Sequence, residues 1–202
     1  PHERRHHQDL QRGFIINHFA IEGKRHCPAY ADDAGLLYAM NSLAQMTAKW
    51  ASSTDWPVRE LQCCKIYDYP RFPYRGLHAD VSRHFRGVDF LKKQIDAMAM
   101  FKMNMMHIHL TDAAGWRMPV DAYPRLTSFA AWRPQHAWKE WWAGDRHYVE
   151  EGTAGAYGGY YSKEELRDLV EYAKARNVTI IPEIEMPSHS EEVLAAYPEL
   201  GC

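Results

Sequence analysis

The sequence has few cysteines, no long apolar run and no marked excess of charge. Its four cysteines form no CxxC pair, and the neighbours Cys63 and Cys64 can hardly bond to each other, so we expect no disulfide framework. No apolar stretch approaches the roughly 20 residues of a membrane-spanning helix. The formal net charge of -2 gives no reason to expect nucleic acid or an anionic membrane as a partner.

The composition that remains is typical of a globular protein, since 46% of the 202 residues are hydrophobic and can form a sizeable core. The apolar run 13–21 predicts a strand at the edge of a sheet. Residues 31–35 open a helix that Asp32 or Asp33 can cap. The predicted buried stripe of this helix follows from helical spacing and consists of Leu36, Met40, Leu43 and Thr47.

Beyond residue 73, strands and helices alternate. The predicted strands span residues 77–82, 105–111 and 178–184. A helix over 87–101 follows the first strand, and a second helix begins at the capping box of Ser162 and Glu165 and can end in a left-handed conformation at Asn177. This alternation predicts a parallel α/β architecture. Three such strands can belong to a (β/α)8 barrel or to a doubly wound sheet, and the pattern alone does not decide between them.

Polar side chains follow the predicted strands, where the functional groups of parallel α/β folds collect. Asp112 comes just after the second strand and His189 just after the third, so the two can meet across the mouth of a barrel. A carboxylate bound to one imidazole nitrogen fixes the tautomer and leaves the other nitrogen to act on a third group. A buried Asp–His pair with a purely structural role fits the same pattern.

His107 and His109 have the spacing that places two imidazoles on one face of a strand, as in metal hydrolases. Asp112 or His189 would complete a zinc site on paper. Histidines that alternate with apolar residues in a strand are more often hydrogen-bonded core groups. We therefore expect no metal and no other cofactor.

Tryptophans crowd the long connection before the third strand. They are Trp132, Trp138, Trp141 and Trp142. Indole faces can stack on sugar rings, although packing within the loop is the commoner explanation for such a group.

Three segments carry a resemblance to a known family. They are residues 74–85 (YRGLHADVSRHF), 107–117 (HIHLTDAAGWR) and 181–189 (IPEIEMPSH). They closely resemble three successive motifs of glycoside hydrolase family 20, in the family's order and spacing. Further matching segments are 33–39, 68–73, 123–127, 158–162 and 196–200. The resemblance covers roughly residues 31–202.

The resemblance implies the family's fold and reaction. The fold is a (β/α)8 barrel after a small α/β domain, so residues 1–68 are expected to be part of that domain and its lead-in. Residues 69–202 are then about the first three strands of the barrel. The implied reaction removes terminal N-acetylglucosamine or N-acetylgalactosamine with retention, and the substrate's own acetamido oxygen acts as the nucleophile. A glycan or a chitooligosaccharide is the implied substrate, and the oligomeric state stays open.

Carried over residue by residue, the resemblance makes Arg75 a ligand of the sugar hydroxyls. Asp112 and His189 become the pair that tunes the catalytic acid. Two departures stand out, because Ala113-Ala114 replaces a polar pair that is common in the family, and Ser188 stands where glycine is usual. The alanines put the hydrogen bonding of the second motif in question.

The resemblance also predicts what this segment lacks. The family's catalytic Asp-Glu pair follows a fourth strand, and the chain ends at Cys202 before such a strand. We expect the segment alone to be inactive and its parent protein to be a β-N-acetylhexosaminidase outside the cytoplasm (periplasmic, secreted or lysosomal). The alternatives are a non-catalytic sugar-binding module that keeps Arg75, and a metal-dependent barrel hydrolase that uses His107 and His109.

Overall fold

The computed structural model describes residues 17–22, 25–30, 32–51 and 65–201, and the fold is given for these. The chain divides into two compact units. The first comprises residues 1–75 and 98–104, and the second comprises residues 76–97 and 105–202. The predicted domain boundary between residues 68 and 69 stays a prediction.

The first unit contains an antiparallel sheet of three strands. They are β1 (Asn17–Glu22), β2 (Arg25–Tyr30) and β3 (Lys65–Asp68), in the order β2-β1-β3. The strand predicted over residues 13–21 is present from residue 17 onward, and residues 13–16 lie outside the described part. Its predicted edge position is wrong, because β1 pairs with both β2 and β3.

The first helix, α1 (Asp33–Ala51), contacts β1 and β2. Its capping residue is Asp32, whose Oδ1 accepts a hydrogen bond from the backbone N of Gly35 at 2.8 Å. The predicted stripe is wrong at Met40, which is 59% exposed, whereas Tyr38 is only 1% exposed. A polar contact also holds Tyr38 in its buried position, because its hydroxyl accepts a hydrogen bond from Arg75 Nη2 at 3.2 Å.

The second unit contains a parallel sheet of three strands. They are β4 (Gly76–Asp80), β5 (Met105–His109) and β10 (Thr179–Glu183), in the order β10-β5-β4. Helix α2 (Val88–Met100) follows β4, and helix α5 (Lys163–Lys174) precedes β10 and contacts it. The three predicted strands and both predicted helices are confirmed, with small differences at their ends.

Short elements fill the connection from β5 to β10 and the segment that follows β10. They are β6 (Thr111–Asp112), β7 (Gly115–Trp116), α3 (Arg125–Ser128), β8 (Trp132–Arg133), α4 (Trp138–Ala143), β9 (Tyr157–Gly158), α6 (Glu191–Ala196) and a 3-10 helix (Pro198–Leu200). Strand β6 pairs with β7 and β8 with β9, both antiparallel. Among the described residues, no helix has the length and apolar character needed to cross a membrane.

The parallel sheet has one apolar face and one polar face. Met106 and Ile108 in β5 are fully buried, as are Leu91 and Ile95 in α2. Strand residues alternate between the faces, so the remaining side chains of β5 lie on the opposite face. The neighbouring strands place side chains beside them on this face. His107 is in register with His78, and His109 is in register with Asp80 and Glu183. This polar face supplies the side chains of the candidate site.

Helix α5 has the ends that the sequence predicts. The Ser162 hydroxyl accepts a hydrogen bond from the backbone N of Glu165, whose carboxylate accepts one from the backbone N of Ser162, so the capping box is complete. Asn177 has a φ of 56°, the left-handed conformation expected beyond the helix end. Helical spacing in the sequence predicts that Leu169 and Val170 both lie on the buried stripe of this helix. Leu169 is buried, but Val170 is 48% exposed.

A buried arginine joins the loops of the second unit. Arg117 has no exposed surface and donates to the backbone carbonyls of Val81 (3.0 Å), Ser82 (2.5 Å), Ala131 (2.6 Å) and Gly159 (2.9 Å). Burial lowers its pKa to about 10, so the guanidinium stays charged near neutral pH. The charge is stabilised by carbonyl dipoles, because hydrogen bonds to a charged donor are stronger than neutral ones.

The approach of Arg117 depends on a glycine. Gly115 has a φ of +154°, and a Cβ at this position would overlap the guanidinium group of Arg117. We expect Gly115→Ala to lower the free energy of unfolding by roughly 1–3 kcal/mol, through displacement of Arg117 and backbone strain. Urea denaturation measures this. The control is Gly87→Ala, where a Cβ meets no atom within 4 Å, and equal losses in both variants would contradict the prediction.

Candidate functional site

Asp112 lies on the short β6–β7 hairpin that follows β5 and is only 3% exposed. Its Oδ1 accepts a hydrogen bond from the backbone N of Ala113 at 2.7 Å. Its Oδ2 lies 2.5 Å from Arg83 Nη2, 2.9 Å from His109 Nε2 and 3.2 Å from His189 Nδ1. One buried carboxylate oxygen therefore meets an arginine and two imidazoles, which compensates its removal from water.

His189 reaches Asp112 from the turn after β10. Its φ of 54° is uncommon for a residue other than glycine, and such strain persists where the surrounding structure holds it. The turn is fixed from both sides, because the backbone N of Glu185 donates to Thr111 Oγ1 at 2.8 Å and Ser190 Oγ donates to the carbonyl of Ser188 at 3.0 Å. Half of the His189 side chain is exposed, and the contact through Nδ1 leaves Nε2 to act on a third group.

The predicted meeting of Asp112 and His189 is confirmed as a contact, while their catalytic role stays a prediction. Arg83 adds a feature that we did not assign from the sequence. Its Nη1 lies 2.6 Å from Asp80 Oδ2 while its Nη2 contacts Asp112, so one guanidinium holds two carboxylates at the ends of neighbouring strands.

A second carboxylate, Glu183, gathers the histidines of the sheet. Its Oε2 lies 2.8 Å from His107 Nε2, 2.9 Å from His109 Nδ1 and 3.4 Å from His78 Nε2. Burial alone would raise the pKa of Glu183, but its interactions with the histidines, led by His109, lower it to about 2. Burial likewise disfavours charged His109, and its contacts with Asp112 and Glu183 outweigh this and raise its pKa.

The replacement of a polar pair by Ala113-Ala114 is accommodated by apolar packing. Both alanines are buried, and they form a cluster with Trp141 and Tyr148. The hydroxyl of Tyr148 donates a hydrogen bond to the carbonyl of Ala113. Because Ala113 also donates its backbone N–H to Asp112, the hairpin still positions that carboxylate.

The tryptophans of the long connection divide into two kinds. Trp141 has no exposed surface, and its Nε1 donates to the carbonyl of His147 at 2.9 Å, which is the packing role. Trp142 is 47% exposed, stacks on Trp138 with 5.6 Å between ring centroids, and has the guanidinium of Arg146 over its ring. A role of Trp142 in stacking on sugars stays a prediction.

Arg75 lies directly before β4. Its side chain donates to the backbone carbonyls of Lys102 at 2.6 Å and Phe72 at 2.7 Å, and to the hydroxyl of Tyr38. Its role as a ligand of sugar hydroxyls stays a prediction.

The comparison with protein families decides how this constellation is interpreted. A family model described as the catalytic domain of glycosyl hydrolase family 20 matches residues 72–202, more than half of the chain. The chain belongs to glycosyl hydrolase family 20. The metal-dependent barrel hydrolase that uses His107 and His109 is therefore not the class to which this chain belongs.

Individual relatives agree with the family. The chain is 41% identical over 170 residues to a β-hexosaminidase of Porphyromonas gingivalis, which corresponds to 83% of this chain and 20% of the relative. It is 39% identical over 168 residues to a β-hexosaminidase of Akkermansia muciniphila, covering 83% of this chain and 30% of that protein. The chain thus spans less than a third of the length of either relative.

Solved structures agree with the fold. A family 20 exo-β-N-acetylglucosaminidase of Vibrio harveyi in complex with N-acetylglucosamine matches with a TM-score of 0.76 and 31% identity, covering 92% of this chain and 27% of that one. A β-N-acetylhexosaminidase of Bacteroides fragilis matches with a TM-score of 0.73 and 35% identity, covering 93% and 34%. The predicted fold class, a partial (β/α)8 barrel preceded by an α/β segment, is confirmed, and the doubly wound sheet is excluded.

Besides Arg83, two residues of this region have no role assigned from the sequence. His78 lies inside β4 and not beyond its end, where functional side chains are expected, although its spacing of two from Asp80 places both side chains on one face of the strand. Glu192 has no exposed surface, and a glutamate in a helix gives no sequence signal of burial.

Proposed function

We propose that this chain is part of a retaining, substrate-assisted β-N-acetylhexosaminidase. The observation that carries the proposal is the contact between buried Asp112 and half-exposed His189, made in motifs of family 20 beyond neighbouring parallel strands. Relatives that the chain matches are named β-hexosaminidases. The site lies at the carboxyl ends of the strands, where barrel enzymes carry out their chemistry.

The proposed role of the pair is to tune a catalytic acid. Asp112, held by Arg83 and His109, anchors Nδ1 of His189 and thereby fixes its tautomer. Nε2 of His189 then faces the glutamic acid that the family places after its fourth strand. That acid gives a proton to the leaving oxygen and later takes one from water, and a neighbouring anchored imidazole keeps its pKa suited to both steps.

The proposed substrate is a glycan or chitooligosaccharide that ends in N-acetylglucosamine or N-acetylgalactosamine. The acetamido oxygen of the substrate attacks the anomeric carbon as the bond to the leaving oxygen breaks, so the protein needs no nucleophile of its own. Arg75 is proposed to bind the hydroxyls of the terminal sugar, since a guanidinium presents several fixed donors.

Hydrolysis of 4-nitrophenyl N-acetyl-β-glucosaminide tests the proposal. The gene product extended downstream of residue 202 is expected to be active, and 4-nitrophenyl β-glucoside, which lacks the acetamido group, should not be cleaved. In the extended protein, Asp112→Asn should lower kcat by about 100-fold or more, the usual scale of acid–base assistance, with little change in KM because the proposed ligand of the sugar is Arg75 and not Asp112.

The matched control is Asp145→Asn. Asp145 also pairs with a histidine, His147, but on the surface, and its replacement should leave kcat unchanged. Unchanged turnover in Asp112→Asn would contradict the proposed role of the pair. An extended protein that binds N-acetylglucosamine but cleaves nothing would favour the sugar-binding module, and activity of residues 1–202 alone would place the acid among them.

We also propose that the parent protein acts outside the cytoplasm. The support is the family resemblance of the three motifs, since glycans and chitin fragments are extracytoplasmic substrates. Cell fractionation with an antibody against this segment checks the proposal, and recovery with a cytoplasmic marker would contradict it.

A further inference from the structure

We propose that His78, His109 and Glu183 form a binding site for a divalent transition metal of the zinc class. The ligand atoms of these three residues lie within 4.8 Å of one another. They are brought together by the register of the sheet, in which β4, β5 and β10 each present one of them on the polar face. The site goes beyond the proposed hydrolase chemistry, which uses no metal.

The distances suit a tetrahedral ion. Oε2 of Glu183 lies 2.9 Å from Nδ1 of His109 and 3.4 Å from Nε2 of His78. Zinc bonds of about 2.0–2.1 Å to nitrogen and oxygen place neighbouring ligand atoms about 3.3 Å apart in a tetrahedron. The ligand atoms lie no more than 4.8 Å apart, so the two imidazoles must approach by at most about 1.5 Å, and the side chain of His78, which is 52% exposed, has room to move.

His109 provides an independent indication of a ligand. Only 7% of its side chain is exposed, yet Nδ1 has no hydrogen-bond partner among the described residues. Nδ1 lies 2.9 Å from Glu183 Oε2 without forming a hydrogen bond to it, so this contact is an ion-pair contact only. A buried nitrogen without a hydrogen bond costs free energy, and a metal ion would satisfy it.

The neighbours of the three residues orient them as in known metal sites. Asp112 lies 2.9 Å from Nε2 of His109 and can accept a hydrogen bond from it, so the lone pair of Nδ1 becomes available once an ion displaces the proton of that nitrogen. His107 Nε2 lies 2.8 Å from Glu183 Oε2 and can donate to it, which holds the carboxylate in place. Two imidazoles and one carboxylate suit zinc and leave a fourth position for water.

Cobalt(II) titration tests the site, because tetrahedral cobalt absorbs visible light strongly and zinc displaces it. Residues 1–202 also contain histidines near the start of the chain, so the titration uses a background with His2→Ala, His6→Ala and His7→Ala. We expect one cobalt per chain and its loss on addition of zinc.

Adding His78→Ala to this background should weaken binding by at least 10–100-fold, since removal of a ligand costs no less than removal of an orienting neighbour. Glu183→Gln should do the same. The matched control is His147→Ala, a half-exposed histidine outside the cluster, which should bind as before. Absence of a visible band, or a band that His78→Ala leaves unchanged, would overturn the proposal. Circular dichroism of His78→Ala verifies that its fold is retained.

Discussion

At pH 8 the Glu192→Gln variant is expected to be more stable than the unsubstituted protein by about 3–5 kcal/mol, and near pH 4 the two should be equally stable. Glu192 lies in the first turn of α6 with no exposed surface. Neither of its carboxylate oxygens has a hydrogen-bond partner among the residues that the structure describes. Burial, to which the charge of Asp112 adds, raises the pKa of Glu192 to about 8.

The sign of this effect follows from proton binding in the two states. The ordinary pKa of a glutamate is 4.5, so between pH 4.5 and about 8 the unfolded chain releases a proton that folded Glu192 retains. The free energy of unfolding therefore falls by about 1.4 kcal/mol for each pH unit in this window, and the loss is complete above it. Glutamine has nearly the same shape and remains neutral, so the free energy of unfolding of the variant does not fall in this window.

Urea denaturation across this pH range measures the difference in the free energy of unfolding between the variant and the unsubstituted protein. The titration of all other groups cancels in this difference. The adjacent Glu191→Gln is the matched control. Glu191 is 48% exposed in its side chain and pairs with Arg146, so its replacement should change stability by less than about 1 kcal/mol at any pH. A pH-independent difference in Glu192→Gln would show that folded Glu192 is not protonated.

Arg117→Met is expected to lower the free energy of unfolding by about 3–5 kcal/mol, because each buried carbonyl that loses its hydrogen bond costs about 1–3 kcal/mol. Methionine fills much of the same volume but donates no hydrogen bond. The variant would leave four buried carbonyls without this donor. They are the carbonyls of Val81, Ser82, Ala131 and Gly159. Those carbonyls belong to separate loops, so the variant should also lose protection from hydrogen exchange there.

Chemical denaturation compares this variant with Arg167→Met. Arg167 instead pairs with an acidic side chain, Glu164, and both side chains are largely exposed, so this contact contributes about 0–1 kcal/mol. A similar small loss in Arg117→Met would mean that its carbonyl contacts contribute little to stability.

Local signals in the sequence were sufficient for much of the second unit. The Ser162–Glu165 capping box and the left-handed Asn177 depend on neighbours a few residues away, so the sequence contains all that determines them. The contact between Asp112 and His189 was predicted for a more general reason. The carboxyl ends of neighbouring parallel strands meet at one edge of the sheet, whatever the intervening chain does.

Predictions failed where burial depends on distant parts of the chain. Spacing placed Met40 in the buried stripe of α1, but the fold buries Tyr38 instead. In α5, apolar Val170 is exposed while its neighbour Leu169 is not.

Strand β2 was not predicted from the sequence. It contains Pro28, which argues against a strand in the middle of a sheet but is tolerated here because β2 lies at the edge of its sheet.

The sequence by itself determined the family, the order of strands and helices in the second unit, and which polar residues follow the strands. These depend on contiguous motifs and on short-range periodicity. Only the tertiary structure decided that His78, His109 and Glu183 converge and that Glu192 is buried without a partner. Strand register brings together residues that are up to 105 positions apart, and the desolvation of a side chain depends on everything packed around it, so neither property is encoded in any local pattern.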